Sequence, residues 1–231
     1  MKSKHDREGD RAPVSVWGGA WLCLALLAAA GCISEERLKK SEGYYQEGVA
    51  MLNTDQQSAY VSFQKALKEN PNNRNAHYSV ALIYATQEKF PEAEAEIRET
   101  LDIDPDYPEA LNFLGQLLVR QGKRQEAILA FRKAANSPLY TTPDAAYYQM
   151  GLALELEGDM QGAKGAFEEA LKVVPPNVQP ALVYLELGRV HYRLGEDAKA
   201  REALARAVSL DKDKSGGVSA EAKALMERLK L

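Results

Sequence analysis

The chain is poor in the residues that usually carry covalent or metal chemistry. Of 231 residues, Cys23 and Cys32 are the only cysteines, Trp17 and Trp21 the only tryptophans, and three are histidines. So few cysteines exclude a disulfide scaffold. Glycine and proline number 16 and 10, too few for a collagen-like or low-complexity chain. A block of basic side chains is also missing: 29 Lys and Arg stand against 33 Asp and Glu, a formal net charge of -4. That balance argues against a nucleic-acid partner. Hydrophobic side chains make up 45% of the chain and charged ones 27%, the proportions of one folded domain with a continuous core.

The beginning of the chain does not belong to that core. Lys2, Lys4, Arg7 and Arg11 precede an uncharged run from Val14 to Gly31, which closes on three alanines, a glycine and Cys32. This pattern reads as an export signal, although Asp6, Glu8 and Asp10 give its leading segment a mixed charge. The 18 uncharged residues are also just long enough to span a bilayer, so a retained signal anchor or simple secretion is the other reading. Each places the folded part outside the cytoplasm. The segment Leu27-Ala28-Ala29-Ala30-Gly31-Cys32 resembles a bacterial lipobox. The resemblance implies a signal peptide over residues 1–31, a diacylglycerol on Cys32, and a lipidated tether over residues 32–41. The remaining 200 residues carry 25 basic and 30 acidic side chains, with no tryptophan and no thiol beyond the lipidated one. An internal disulfide is then impossible, and packing alone must hold the fold.

Packing of a repeated kind is visible once small residues are aligned. Ala59, Ala93 and Ala127 are 34 residues apart, and Ala163 and Ala200 follow after 36 and 37. Four residues after each comes a large apolar side chain: Phe63, Ile97, Phe131, Phe167 and Leu204. Three further on lie Ala66, Thr100, Ala134, Ala170 and Ala207. Spacings of four and seven put each trio on one helix face. Twelve residues before the last four alanines sit Ala81, Gly115, Gly151 and Gly188, and Gly48 lies eleven before Ala59. A small residue on each of two crossing helices lets the backbones approach, and the large residue fills the gap above. Gly122, Gly158 and Gly195 suit the turn between paired helices, and Pro71, Pro105 and Pro175 close the second helix of a pair.

These five units, over about residues 42–212, resemble the tetratricopeptide repeat. The resemblance implies an all-α fold, a right-handed superhelical solenoid of ten helices. Ser219–Leu231 places Ala222, Leu225, Met226 and Leu229 on one helix face. Within a terminal segment of residues 213–231, that stretch is the expected capping helix.

Catalytic chemistry has little to build on. His77 and His191 stand three units apart and cannot share a metal or a proton, and each reads as a satisfied or surface histidine. No phosphate-binding glycine loop and no His/Glu metal motif occurs, and the pairs Glu35-Glu36 and Glu168-Glu169 fall on solvated helix positions. Neither an enzyme nor a cofactor is expected. In the tetratricopeptide fold the first helix of each unit lines the concave side, through its positions 2, 5, 9 and 12. That rule selects Tyr45 and Val49, Tyr78 and Leu82, Asn112 and Gln116, Tyr148 and Leu152, and Leu185, Arg189 and Tyr192. The lining is aromatic and mostly uncharged, suited to a peptide strand or helix with apolar side chains. Tyr84 and Tyr147 are expected to pack between units instead. Fifth positions here are Tyr, Tyr, Asn, Tyr and Leu, unlike the lysine and asparagine of repeat domains that clamp a C-terminal carboxylate.

The spacing breaks between the third and fourth units, at Asn136-Ser137-Pro138-Leu139-Tyr140-Thr141-Thr142-Pro143-Asp144. With the lipobox and the repeat number, this turn is similar to that of the PilF/PilW/Tgl family of type IV pilus biogenesis lipoproteins. That resemblance implies a monomeric pilotin on the periplasmic side of the outer membrane. Such a protein would promote membrane localisation and multimer assembly of the pilus secretin. Ile33 rather than aspartate after the cysteine favours outer-membrane export by the lipoprotein sorting machinery, under the rule of enteric bacteria. The alternatives are an adaptor lipoprotein that recruits peptidoglycan hydrolases and a subunit of an outer-membrane assembly machine.

Overall fold

The structure, a computed structural model, describes residues 33–211 and 217–229. The segment expected to be an export signal and the expected lipidation site Cys32 lie outside them. Eleven helices account for nearly all the described residues, with no strand among them. In chain order they are α1 (Glu35–Met51), α2 (Gln56–Glu69), α3 (Arg74–Thr86), α4 (Phe90–Ile103), α5 (Pro108–Arg120), α6 (Arg124–Ala135), α7 (Pro143–Glu157), α8 (Met160–Lys172), α9 (Pro180–Arg193), α10 (Asp197–Leu210) and α11 (Val218–Arg228).

Local chemistry sets the ends of these helices. Ser34, Asp55, Asn73 and Asp159 accept backbone N–H bonds at the starts of α1, α2, α3 and α8, satisfying donors that have no partner inside the helix. Proline stands in the first turn of α4, α5, α7 and α9, where its missing N–H costs nothing. Three of the turns inside a pair pass through the left-handed region at Gly122, Gly158 and Gly195; the second unit makes its turn at Glu88 with φ 58°.

Consecutive helices pack as antiparallel pairs, and each pair stacks on the next. All five expected trios are buried: the five alanines, Phe63, Ile97, Phe131, Phe167 and Leu204 are 0% exposed, and the third set reaches no more than 3%. Burying a side chain of that size contributes about 1.5–3 kcal/mol. The small partners are required by geometry. A Cβ on Gly48, Gly115 or Gly151 would lie 2.5 Å from a ring carbon of Phe63, Phe131 or Phe167, and one on Gly188 would lie 2.7 Å from Leu204.

Polar ties join neighbouring units. Buried Ser41 donates to the Ala66 carbonyl and accepts from Asn73. Asp144, 1% exposed, accepts the backbone N–H groups of Asn177 and Val178 at 2.6 and 2.7 Å. In the irregular turn after α6, Tyr140 is buried against Leu111, Ala134, Ala135 and Ala146, while Leu139 is 81% exposed. The capping helix α11 buries Val218, Ala222 and Leu229 against Leu185, Ala200, Leu204 and Ala207. Asp211 accepts from the Ser219 backbone and hydroxyl to hold its start.

One boundary needs correction. Residues 35–41, expected within a tether over residues 32–41, are the first two turns of α1 with Ser41 buried, so only Ile33 and Ser34 of the described residues precede the helix. A Ser–Glu–Glu opening is a good helix start: Ser34 caps it, and Glu35 and Glu36 face the positive end of the helix dipole.

Candidate peptide groove

The first helices of the units, α1, α3, α5, α7 and α9, form the inner side of the solenoid; α5 and α7 touch directly past the intervening α6. Their outward-facing side chains make a continuous surface whose two halves differ.

The N-terminal half is aromatic. Tyr45 packs on the core ring of Phe63 with centroids 5.8 Å apart. Tyr78 meets Tyr107 at 5.5 Å and Phe113 at 6.0 Å. The Arg74 guanidinium lies 4.5 Å over the Tyr107 ring and is paired with Asp104. Burial pushes the Tyr78 hydroxyl up to about 12, so it stays protonated and available as a hydrogen-bond donor. Leu82 is half-buried beside it, and Val49 is 42% exposed. Gln116 joins Phe90 and Phe113 in a recess of about 260 Å³. Asn112 Oδ1 is the single buried side-chain polar atom among the described residues without a hydrogen-bond partner.

The C-terminal half is charged and self-satisfied. Tyr148 packs on Phe167 at 5.8 Å, and burial raises it to about 12, with Glu186 adding to the rise. Beyond it and half-buried Leu152, Glu155 pairs with Arg193 at 2.9 Å. Arg189 joins buried Glu186 to Glu221 of α11. Burial pushes the Glu186 carboxyl up, with Glu155 and Glu221 in the same direction and Arg189 opposing. Tyr192 is 45% exposed at the end of this stretch.

Ten of the eleven expected groove residues thus keep exposed surface, and the eleventh is a correction. Leu185 is 3% exposed within the cluster covered by α11, because the cap occupies the space a sixth unit would take. Arg189 is exposed only in part, held by the same helix. Position rules missed Tyr107, Phe113, Glu155 and Glu186. Phe113 was within reach, lying one residue from Asn112; Tyr107 precedes its helix, where a rule about helix positions has no hold. Tyr84 bonds the hydroxyl of Tyr60 at 2.9 Å, and Tyr147 donates to Asn136, both between units as expected.

His77 and His191 serve local structure. His77 Nδ1 lies 2.6 Å from Glu96 and its Nε2 2.9 Å from the Pro71 carbonyl. Burial opposes its charge, but these bonds and Glu99 leave its pKa raised. His191 Nδ1 lies 2.6 Å from Glu196. Among the described residues there is no group of three or more His, Cys, Asp or Glu side chains able to hold a metal, and no helix is long and apolar enough to cross a membrane.

Helix pairs with a small residue under a large apolar one, stacked unit on unit, define a class. Tetratricopeptide-repeat profiles match residues 62–108, 84–146 and 143–213, and the chain belongs to the tetratricopeptide-repeat family. Within it, the chain is 28% identical over 197 residues to the type IV pilus assembly protein PilF of Pseudomonas aeruginosa, covering 79% of this chain and 76% of that one. The solved structure of that PilF matches with TM-score 0.65 and 25% identity, over 84% of this chain and 94% of that chain. PilW, described as a widely conserved type IV pilus biogenesis factor, matches at 0.62 and 23% over 81% and 92%. MamA matches at 0.67 and 21%, over 77% and 94%, so the fold alone does not separate these proteins.

Proposed function

We propose that this chain is a pilotin: an outer-membrane lipoprotein, anchored through Cys32, that binds the type IV pilus secretin and promotes its localisation and multimer assembly. The observation that carries the reading is the likeness to PilF along about three quarters of both chains. The groove supports it. Tyr45, Tyr78, Tyr107 and Phe113 offer rigid, partly exposed aromatic surface. An unassembled secretin subunit exposes strand edges and apolar side chains, which such a surface can hold until subunits pair. No step requires bond making, so no catalytic residue or cofactor enters.

The experiment is deletion of the gene, followed by immunoblotting of heat-resistant secretin multimers in the outer-membrane fraction, beside a Cys32→Ala strain. The expected result is monomer without multimer in the deletion, and a folded but mislocalised protein in the variant. Normal multimers in the deletion would sink the pilus reading. Pull-down of cell-wall hydrolases by the tagged protein would then favour the adaptor role.

A further inference from the structure

The surface with no place in the groove is the edge where one unit passes to the next. In each antiparallel pair, the start of the first helix and the end of the second lie at the same edge. Cross-links make that edge continuous. Arg37 bonds the Lys68 carbonyl, Asn73 bonds Ser41, Arg74 pairs with Asp104, Lys133 bonds the Pro105 carbonyl, and Asn177 bonds Asp144. The start of α1 and the turns after α2, α4, α6 and α8 therefore adjoin one another in order.

This edge carries the two most exposed large apolar side chains among the described residues, Val174 at 85% and Leu139 at 81%. Single exposed apolar residues need no explanation. These two occupy equivalent inter-unit turns, each beside a proline, and Leu38 and Ile103 continue the series at 44% and 37%. Leu139 also rims a recess of about 560 Å³ with Leu129 and Pro138. Charges along the edge are largely neutralised in pairs, including Lys39–Glu35, Lys133–Asp106 and Lys172–Glu169, so the edge is not repelled by a phospholipid surface of either charge.

The polypeptide enters the fold at this same edge. Only Ile33 and Ser34 separate Cys32 from α1, a span of about 10 Å even when extended. We infer that the inter-unit edge, led by Leu139 and Val174, rests on the phospholipid bilayer and fixes the orientation of the solenoid, leaving the aromatic groove free for its partner. The inference rests on the lipid-anchor reading. Apolar side chains at such a contact sit at the boundary of headgroups and acyl chains, adding a second attachment to the acyl anchor.

The test uses the full chain, expressed with its leader and purified from membranes, carrying Leu139→Cys, Val174→Cys, Glu88→Cys or Glu157→Cys. The last two lie at the opposite edge, in exposed positions. Each purified variant is weighed by mass spectrometry, labelled with a fluorophore and placed in vesicles containing nitroxide-bearing phospholipid. Labels at positions 139 and 174 are expected to be quenched at least about twofold more than those at 88 and 157. Equal quenching in a chain that carries the acyl mass overturns the edge contact alone, and would return the recess beside Leu139 to a protein occupant. A chain without acyl mass overturns the anchor, and the edge contact with it.

Discussion

At Gly151 the absence of one carbon decides how closely two helices approach. A Cβ there would stand 2.5 Å from Phe167, a ring already 0% exposed, so Gly151→Ala is expected to lower stability by about 1–3 kcal/mol through overpacking. Gly43 is the control: nothing lies within 4 Å of its Cβ position, and Gly43→Ala should raise stability by about 0.5–1 kcal/mol through helix propensity. Urea unfolding followed by circular dichroism reads both, and equal signs would refute the packing account. Glu94 gives a pH test. Its carboxylate, 7% exposed, resists burial through bonds to Lys123, Arg98 and Gln121 that hold it down at about 2. A lowered carboxylate adds stability above its ordinary range and loses it as pH falls. Acid titration of the wild type should therefore show a loss from about 4.5 downward that is reduced in Glu94→Gln. The Tyr78 ring packs on Tyr107 and Phe113, so Tyr78→Ala would mix folding with the proposed binding role. Tyr78→Phe keeps the ring, and calorimetry against a partner peptide should then show weaker binding at unchanged thermal stability.

Helices depend on their neighbours in ways a position count can miss. The capping helix α11 is expected to be indispensable to the fifth unit, because it covers Leu185 and Leu204 and anchors Arg189 through Glu221. Removing residues 217–231 should leave the first units intact while α9 and α10 lose hydrogen-exchange protection; protection unchanged there would show the cap to be dispensable. The repeat was legible because its signal is steric: Ala59, Phe63 and Ala66 recur in kind at nearly constant spacing, and a core that admits only small residues at a crossing writes that demand into the chain. The partial exposure of Tyr45, Tyr78 and Tyr148 follows from the same period, which fixes the direction of each side chain. Leu185 misled because whether a groove position is open depends on what stacks on it. Asp144 gave no warning either: its role is to accept N–H groups from a turn 33 residues on, and no local pattern records such a partner. The start of α1 was misjudged because a polar, charged opening looks like a linker until Ser41 is seen buried between α2 and α3.

Among the described residues, every substantial helix contact lies within a unit or between neighbouring units, so stability should follow a nearest-neighbour sum rather than a single cooperative core. The described ends of the solenoid are unequal: α11 shields the last unit, while α1, the first described helix, fully buries only Ser41 and Gly48. On the proposed anchoring through Cys32, any pull between membrane and bound partner would enter through α1, of whose 17 residues only Ser41 and Gly48 are buried. A helix of 17 residues paid out as extended chain lengthens the attachment by roughly 30 Å, the difference between about 3.3 and 1.5 Å per residue. Under load α1 would act as a mechanical fuse and a spring in one, giving reach to a protein that at rest has almost no leash.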